Sequence, residues 1–178
     1  MASDERENLE ALLEKGLTDA EISPSTRFIK QTVDFIHELA KWNKSYNLTA
    51  VRDPLQMVPL HILDSMALYP FVEEQTQDIL DVGSGGGLPG IPLAIAYPEK
   101  KFTLLDSNGK KTRFLFQVKV ALELENVEVV NARVDEYFEE CSKEFSLITC
   151  RAFSSLTSIV KMSEIPLMQG TQLLAMKG

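Results

Sequence analysis

At 178 residues, 44% hydrophobic and 25% charged, the chain suits one globular domain with a small appendage and is not a disordered segment. No stretch approaches the roughly 18 apolar residues of a membrane span, and the acidic start MASDERENLE lacks the apolar core of a signal peptide. The two cysteines, Cys141 and Cys150, have no zinc or disulfide spacing, so a cytoplasmic location is expected, and the net charge of −8, unevenly spread along the chain, decides nothing about nucleic acid as a partner.

Residues 3–15 read as a helix with Leu9, Leu12 and Leu13 on one side and Gly16 as its stop signal. After a polar break, Phe28, Ile29, Val33, Ile36, Leu39 and Ala40 recur at helical spacing from Thr26 to about Lys44. Asp53 and Pro54 read as the N-cap and first-turn proline of a further helix, which Pro59 should kink or restart before LHILDSMAL. The pattern then changes. DILDV (78–82), KFTLLD (101–106), VEVVN (127–131), FSLITC (145–150) and TQLLAM (171–176) are short apolar runs, separated by segments that can be helices, most clearly 109–124. This alternation predicts an α/β chain of the Rossmann-like kind: a mostly parallel twisted sheet flanked by helices, with right-handed crossovers. The division expected is an N-terminal helical extension over residues 1–70 and a sheet core over 71–178.

Between the first strand and the next helix lies DVGSGGGLPG, residues 81–90, with five glycines in ten positions. In a doubly wound sheet the first βα turn is where ligands bind, beyond the carboxyl ends of the strands. A dinucleotide site requires G-x-G-x-x-G directly after the strand, yet counting from Gly83 the third glycine would fall on Leu88. The strand ends in Asp81, an acid badly placed for pyrophosphate and well placed, directly or through water, for an ammonium group. S-adenosylmethionine (SAM) offers that group and has no phosphate. Asp106 closes the second strand, where a carboxylate can accept both ribose hydroxyls of either nucleotide. Around it, residues 100–120 carry six basic residues and one acid. The segment is either a solvated helix face or the basic stripe that an RNA binder needs, with Lys110, Lys111 and Arg113 as candidate phosphate contacts.

WNKSYNLTAV (42–51), HILDS (61–65), LDVGSGGGLPGIPLAI (80–95), LLDSNGKKTRFL (104–115) and RAFSSL (151–156) closely resemble the RsmG, or GidB, family of bacterial 16S rRNA methyltransferases. The likeness runs from about residue 20 to the end. It implies a SAM-dependent methyltransferase fold, SAM as cofactor, and transfer of its methyl group to N7 of a guanine in 16S rRNA or the small ribosomal subunit. It also implies that Gly83 and Leu88 line the SAM pocket, with Gly85 in the same turn. Asp106, Ser107 and Asn108 would meet the ribose and the adenine edge, Val134 and Asp135 would flank the adenine, and Arg151 would face the active centre. Family members continue for several elements after the stretch matching LLAMKG, so a sheet lacking its last strands, with the fifth strand as an edge, is expected. No metal, no membrane contact and a monomeric state complete the expectations.

Guanine N7 carries an exposed lone pair, so the implied chemistry needs positioning and electrostatics rather than a general base. No Ser/His/Asp or Cys/His arrangement presents itself, and CRAF stands where an exocyclic-amine enzyme would carry N-P-P-Y. Arg151 is the catalytic candidate, acting on guanine O6 or the SAM carboxylate; the competing reading is a structural ion pair with an acid such as Asp81 or Asp106. Cys150 is either a nucleophile or a buried strand residue, His61 either catalytic or structural, and Trp42 and Tyr46 either stack a base or fill the core. A small-molecule methyltransferase and an inert SAM-binding module are the alternatives, with a NAD-linked oxidoreductase behind both.

Overall fold

The computed structural model describes residues 3–151, 156–162, 164–168 and 170–176; residues 152–155 of RAFSSL and the last two residues of LLAMKG lie outside that set. Helix α1 (Ser3–Asp19) buries Leu9, Leu13 and Leu17, one per turn, while Leu12 is exposed. The stop expected at Gly16 is not there, for the helix continues through it. A Cβ on Gly16 would lie 2.3 Å from Leu63 Cδ1, so the glycine marks a close crossing rather than an end. Helix α2 (Thr26–Tyr46) starts where the Ser25 hydroxyl accepts the Phe28 N–H and stops at Asn47, in the left-handed region. Asp53 caps α3 (Pro54–Met57) as its position suggests. Pro59 has no N–H to give, and the chain passes through a π-helical turn (Val58–Leu63) before α4 (Asp64–Met66).

Five strands follow: β1 (Asp78–Val82), β2 (Lys101–Asp106), β3 (Val127–Asn131), β4 (Leu147–Arg151) and β5 (Gln172–Met176). All neighbours are parallel, in the order β3-β2-β1-β4-β5. The crossovers carry α5 (Gly90–Ala96), α6 (Gly109–Ala121), α7 (Val134–Glu140), and the pair α8 (Leu156–Met162) and α9 (Glu164–Met168). The order reverses between β1 and β4, which makes the carboxyl end of β1 the topological switch point.

Strand alternation sorts the sheet into two buried clusters. Ile79, Phe102, Leu104 and Leu147 join Leu93 of α5 and Phe114 of α6 on one face. Leu80, Val82, Leu105, Ile148 and Cys150 face the other way, toward Val134, Tyr137 and Phe138 of α7. Val33, Ile36 and Leu39 of α2 belong to the first cluster, so the N-terminal helices share a core with the sheet. Cys150 is 1% exposed in the second cluster, and its position is that of a packed strand residue. Among the described residues no helix is long and apolar enough to cross a membrane.

Candidate functional site

The glycine turn begins by crossing the end of β2: the N–H groups of Gly83 and Ser84 both donate to the Leu105 carbonyl, at 2.8 and 3.1 Å. Gly83, Gly85 and Gly87 take φ of +71°, +55° and +81°, a path that other residues follow only under strain. This path aims the Gly85 N–H at Asp106 Oδ2 (3.0 Å), while the Asn108 N–H donates to Oδ1 (2.8 Å). Beyond the strand ends lies a cleft of about 450 Å³, lined by Gly83, Asp106, Ser107, Asn108, Val134 and Asp135, among others. That volume is in the range of small-molecule sites, roughly 300–1,000 Å³. Six expected SAM contacts therefore meet in one place. Gly85 joins them through its bond to Asp106.

The donor set fits SAM. A carboxylate has about four acceptor positions, and two on Asp106 are taken by backbone N–H groups, leaving about two for a vicinal ribose diol. Two cations in the wall were not foreseen as cofactor neighbours, and each already faces a carboxylate. Lys111 Nζ is 3.8 Å from Asp106 Oδ2, and Arg133 makes a forked pair with Asp135 at 3.1 and 3.0 Å. Arg133 also holds the Asp135 carboxyl below the usual range. No surplus positive charge is left for a pyrophosphate. The position of Arg133, just after a strand and before Val134, was the one signal that could have found it.

Three expected contacts are not at the cleft. Asp81 was to face an ammonium group, but it shares a sheet face with Ile79 and is fully buried. Its Oδ2 accepts the Gly90 N–H (3.2 Å) and its Oδ1 the Thr149 hydroxyl (3.1 Å), so it ties β1 to β4 and to the start of α5. Leu88 is buried in the first cluster rather than lining the cleft. Arg151, on the same face of β4 as Thr149, turns toward the helical layer. Its Nε lies 3.1 Å from Asp64 Oδ2 and its Nη2 donates to the Leu60 carbonyl at 2.9 Å, so its acid partner is Asp64 and neither Asp81 nor Asp106.

Burial pushes the Asp81 carboxyl up to about 6, against the pull of its hydrogen bonds from Thr149 and Gly90. The folded state thus holds this proton more tightly than the unfolded chain, where the value is 3.8. The resulting stability is fully present below about 3.8 and is lost as pH rises through about 6. Asp81→Asn can accept from Gly90 and donate to Thr149 without that loss. Urea unfolding should therefore show the variant gaining on the parent by at most roughly 2.5 kcal/mol between pH 4 and pH 7.5, most of what the shift allows. A pH-independent difference would sink this account of Asp81.

The helical layer reaches the site through the loop after α2. The Asn43 amide donates to the Val51 carbonyl (3.0 Å) and accepts the Thr49 N–H (2.9 Å), which pins the loop. Leu48 packs against Gly86, with its carbonyl oxygen 3.7 Å from where a Cβ would stand. The Thr49 hydroxyl lies 2.7 Å from His61 Nε2, and His61 Nδ1 lies 2.8 Å from the Leu60 carbonyl. A proton on Nδ1 satisfies that carbonyl and leaves Nε2 to accept from Thr49, the neutral tautomer that burial and nearby Arg151 favour. His61 is a structural link in the π-helical turn. Trp42 is half-buried between Tyr46 and Phe114, with Nε1 donating to Glu38 at 3.1 Å.

Residues 28–178 match the family described as GidB, rRNA small subunit methyltransferase G. The chain is 53% identical over 164 residues to a ribosomal RNA small subunit methyltransferase G of Ectopseudomonas mendocina, covering 92% of this chain and 76% of that protein. It is 59% identical over 140 residues to the protein of that name from Stutzerimonas stutzeri, covering 79% and 64%. The matched parts thus span about two thirds to three quarters of these relatives. In fold it is similar to the O-methyltransferase TomG of Streptomyces achromogenes, solved with SAM, at a TM-score of 0.57 and 14% identity over 76% of this chain and 60% of that one. That likeness is one of architecture.

Proposed function

Because the chain belongs to the GidB family of rRNA small subunit methyltransferases, we propose that it transfers a methyl group from SAM to N7 of a guanine in 16S rRNA. The observation that carries the reading is Asp106. It sits at the carboxyl end of β2, 7% exposed, facing the cleft with its two backbone donors in place and acceptor capacity to spare. SAM supplies a methyl group on a sulfonium that is ready to leave. The chain's part is to bind and to orient. Asp106 would hold the ribose, Ser107 and Asn108 the adenine edge, Val134 and Asp135 the adenine faces, and Gly83 and Gly85 would let the backbone approach closely. A target base would have to leave its stack to reach the site, as single-stranded loops allow.

Arg151 lies beside the SAM cleft and not in its wall, and it is the residue we assign to the transfer step. Its strand adjoins β1 at the switch point, and Asp64 and the Leu60 carbonyl fix its guanidinium from the helical layer. Guanine gains positive charge as N7 is methylated, so an arginine acts on O6, a phosphate or the SAM carboxylate and not on N7.

The test is transfer of labelled methyl from SAM onto small ribosomal subunits that lack the modification, followed by mapping of the base. Methylation at guanine N7 is expected. SAM binding without turnover would favour the inert module instead. Arg151→Ala should lower transfer by more than tenfold, about 1.4 kcal/mol in the barrier. A loss at saturating SAM indicates the guanine role and weaker SAM binding the carboxylate role. Normal transfer would reduce Arg151 to the ion pair with Asp64.

A further inference from the structure

A second cleft, of about 440 Å³, opens in the helical layer, away from the SAM cleft. Its wall combines Lys41 and Lys44 near the end of α2 with Arg52 from the following loop, and Glu5 of α1 is its one lining acid. Residues 41–52, KWNKSYNLTAVR, contain these three cations and no acid. Lys41 is paired with Glu38 at 3.1 Å. Lys44 and Arg52 are exposed and make no ion pair among the described residues, and Arg52 has only a 3.4 Å contact to the Asn47 amide oxygen. In a chain with a surplus of eight acids, two cations left without carboxylates around one cavity are available to an outside anion.

The place of this wall decides which anion. The loop that carries Arg52 is the one pinned by Asn43, packed by Leu48 against the glycine turn and bonded through Thr49 to His61. The second cleft and the methyl-transfer end of the sheet therefore share one continuous stretch of chain. A strand that delivers a base to the switch point would have its backbone running over this loop. We propose that Lys44 and Arg52, with Lys41 beside them, hold a phosphodiester of the RNA substrate flanking the target base. This inference rests on the RNA reading above and adds a contact that α6 does not provide. Phosphate contacts of this kind position the RNA and carry no sequence information.

The test uses the full chain with Lys44→Glu and Arg52→Glu together, and a small-subunit rRNA transcript as probe. Both side chains are exposed, so folding should survive, and SAM affinity within twofold of the parent verifies it. RNA affinity at low salt should fall at least tenfold, and the slope of log affinity against log salt should shrink by about two, one per lost phosphate contact. The neutral pair K44Q/R52Q should move both readings in the same direction by less. If the parent binds the transcript with a salt slope and both variant pairs match it, this site is refuted while the RNA reading stands. A parent that shows no salt-dependent RNA binding would overturn the RNA reading and this site with it. Titration with inorganic phosphate alone should give no saturable binding. Saturable binding that the double variant loses would assign the cleft to a small anion and overturn the RNA assignment.

Discussion

Replacing Asp106 with alanine is expected to weaken SAM binding by roughly 1.5–3 kcal/mol, the scale for hydrogen bonds to a charged group. Two losses combine in this one change. The acceptors for the ribose diol disappear, and the Gly85 and Asn108 N–H groups lose the carboxylate that aims the turn and holds Asn108, the N-cap of α6. Asp106→Asn separates these contributions, because its single oxygen can satisfy only one of the two backbone donors. It should fall between the parent and Asp106→Ala. Calorimetry with SAM and its demethylated product measures both, with NAD as a ligand expected not to bind. A change within error for alanine would mean that the cleft holds its ligand by other groups.

The second large effect is on stability. A Cβ on Gly90 would stand 2.4 Å from Leu104 Cδ2 and 2.7 Å from Asp81 Oδ2. Neither neighbour can yield, since Leu104 and Asp81 are both fully buried and Asp81 is bonded on both oxygens. Gly90→Ala should therefore cost about 3 kcal/mol, the upper end for an overpacked core. That is a large share of the roughly 5–15 kcal/mol that stabilises a domain. Gly109→Ala is the matched control, because its nearest atom would be Asn131 Oδ1 at an ordinary 3.8 Å. Equal urea midpoints for the two variants would show that α5 can draw back from β1 without loss.

The strands, their parallel sense and the glycine turn were legible because each is a local property of the chain. DILDV, KFTLLD and VEVVN become β1, β2 and β3 with the expected bounds, and FSLITC and TQLLAM shift by a residue or two. Asp106 was legible for a related reason. A carboxylate in the last position of a strand beside the first βα turn lies at the cleft by connectivity alone. Asp81 stands one residue short of the end of β1, which is Val82, and has a different fate. Its register partner is Leu104, so it shares a face with Asp106 but sits two residues further back, where the Gly90 N–H of α5 and the Thr149 hydroxyl close over it, whereas Asp106 stands at the strand end and lines the cleft. How far along a face the packed layers seal it depends on elements far along the chain, so no local pattern could say it. Arg151 follows the same rule, turned by alternation toward Asp64, 87 residues away in sequence. Gly16 completes the lesson. Its sequence neighbours allow a helix end, but a close crossing over Leu63 is what excludes a side chain there. The sequence by itself determined the elements, the sheet and the acid that faces the cofactor cleft. Only the tertiary structure decided which positions on a face are sealed and which reach the cleft, because burial is a property of the assembled layers and not of the strand.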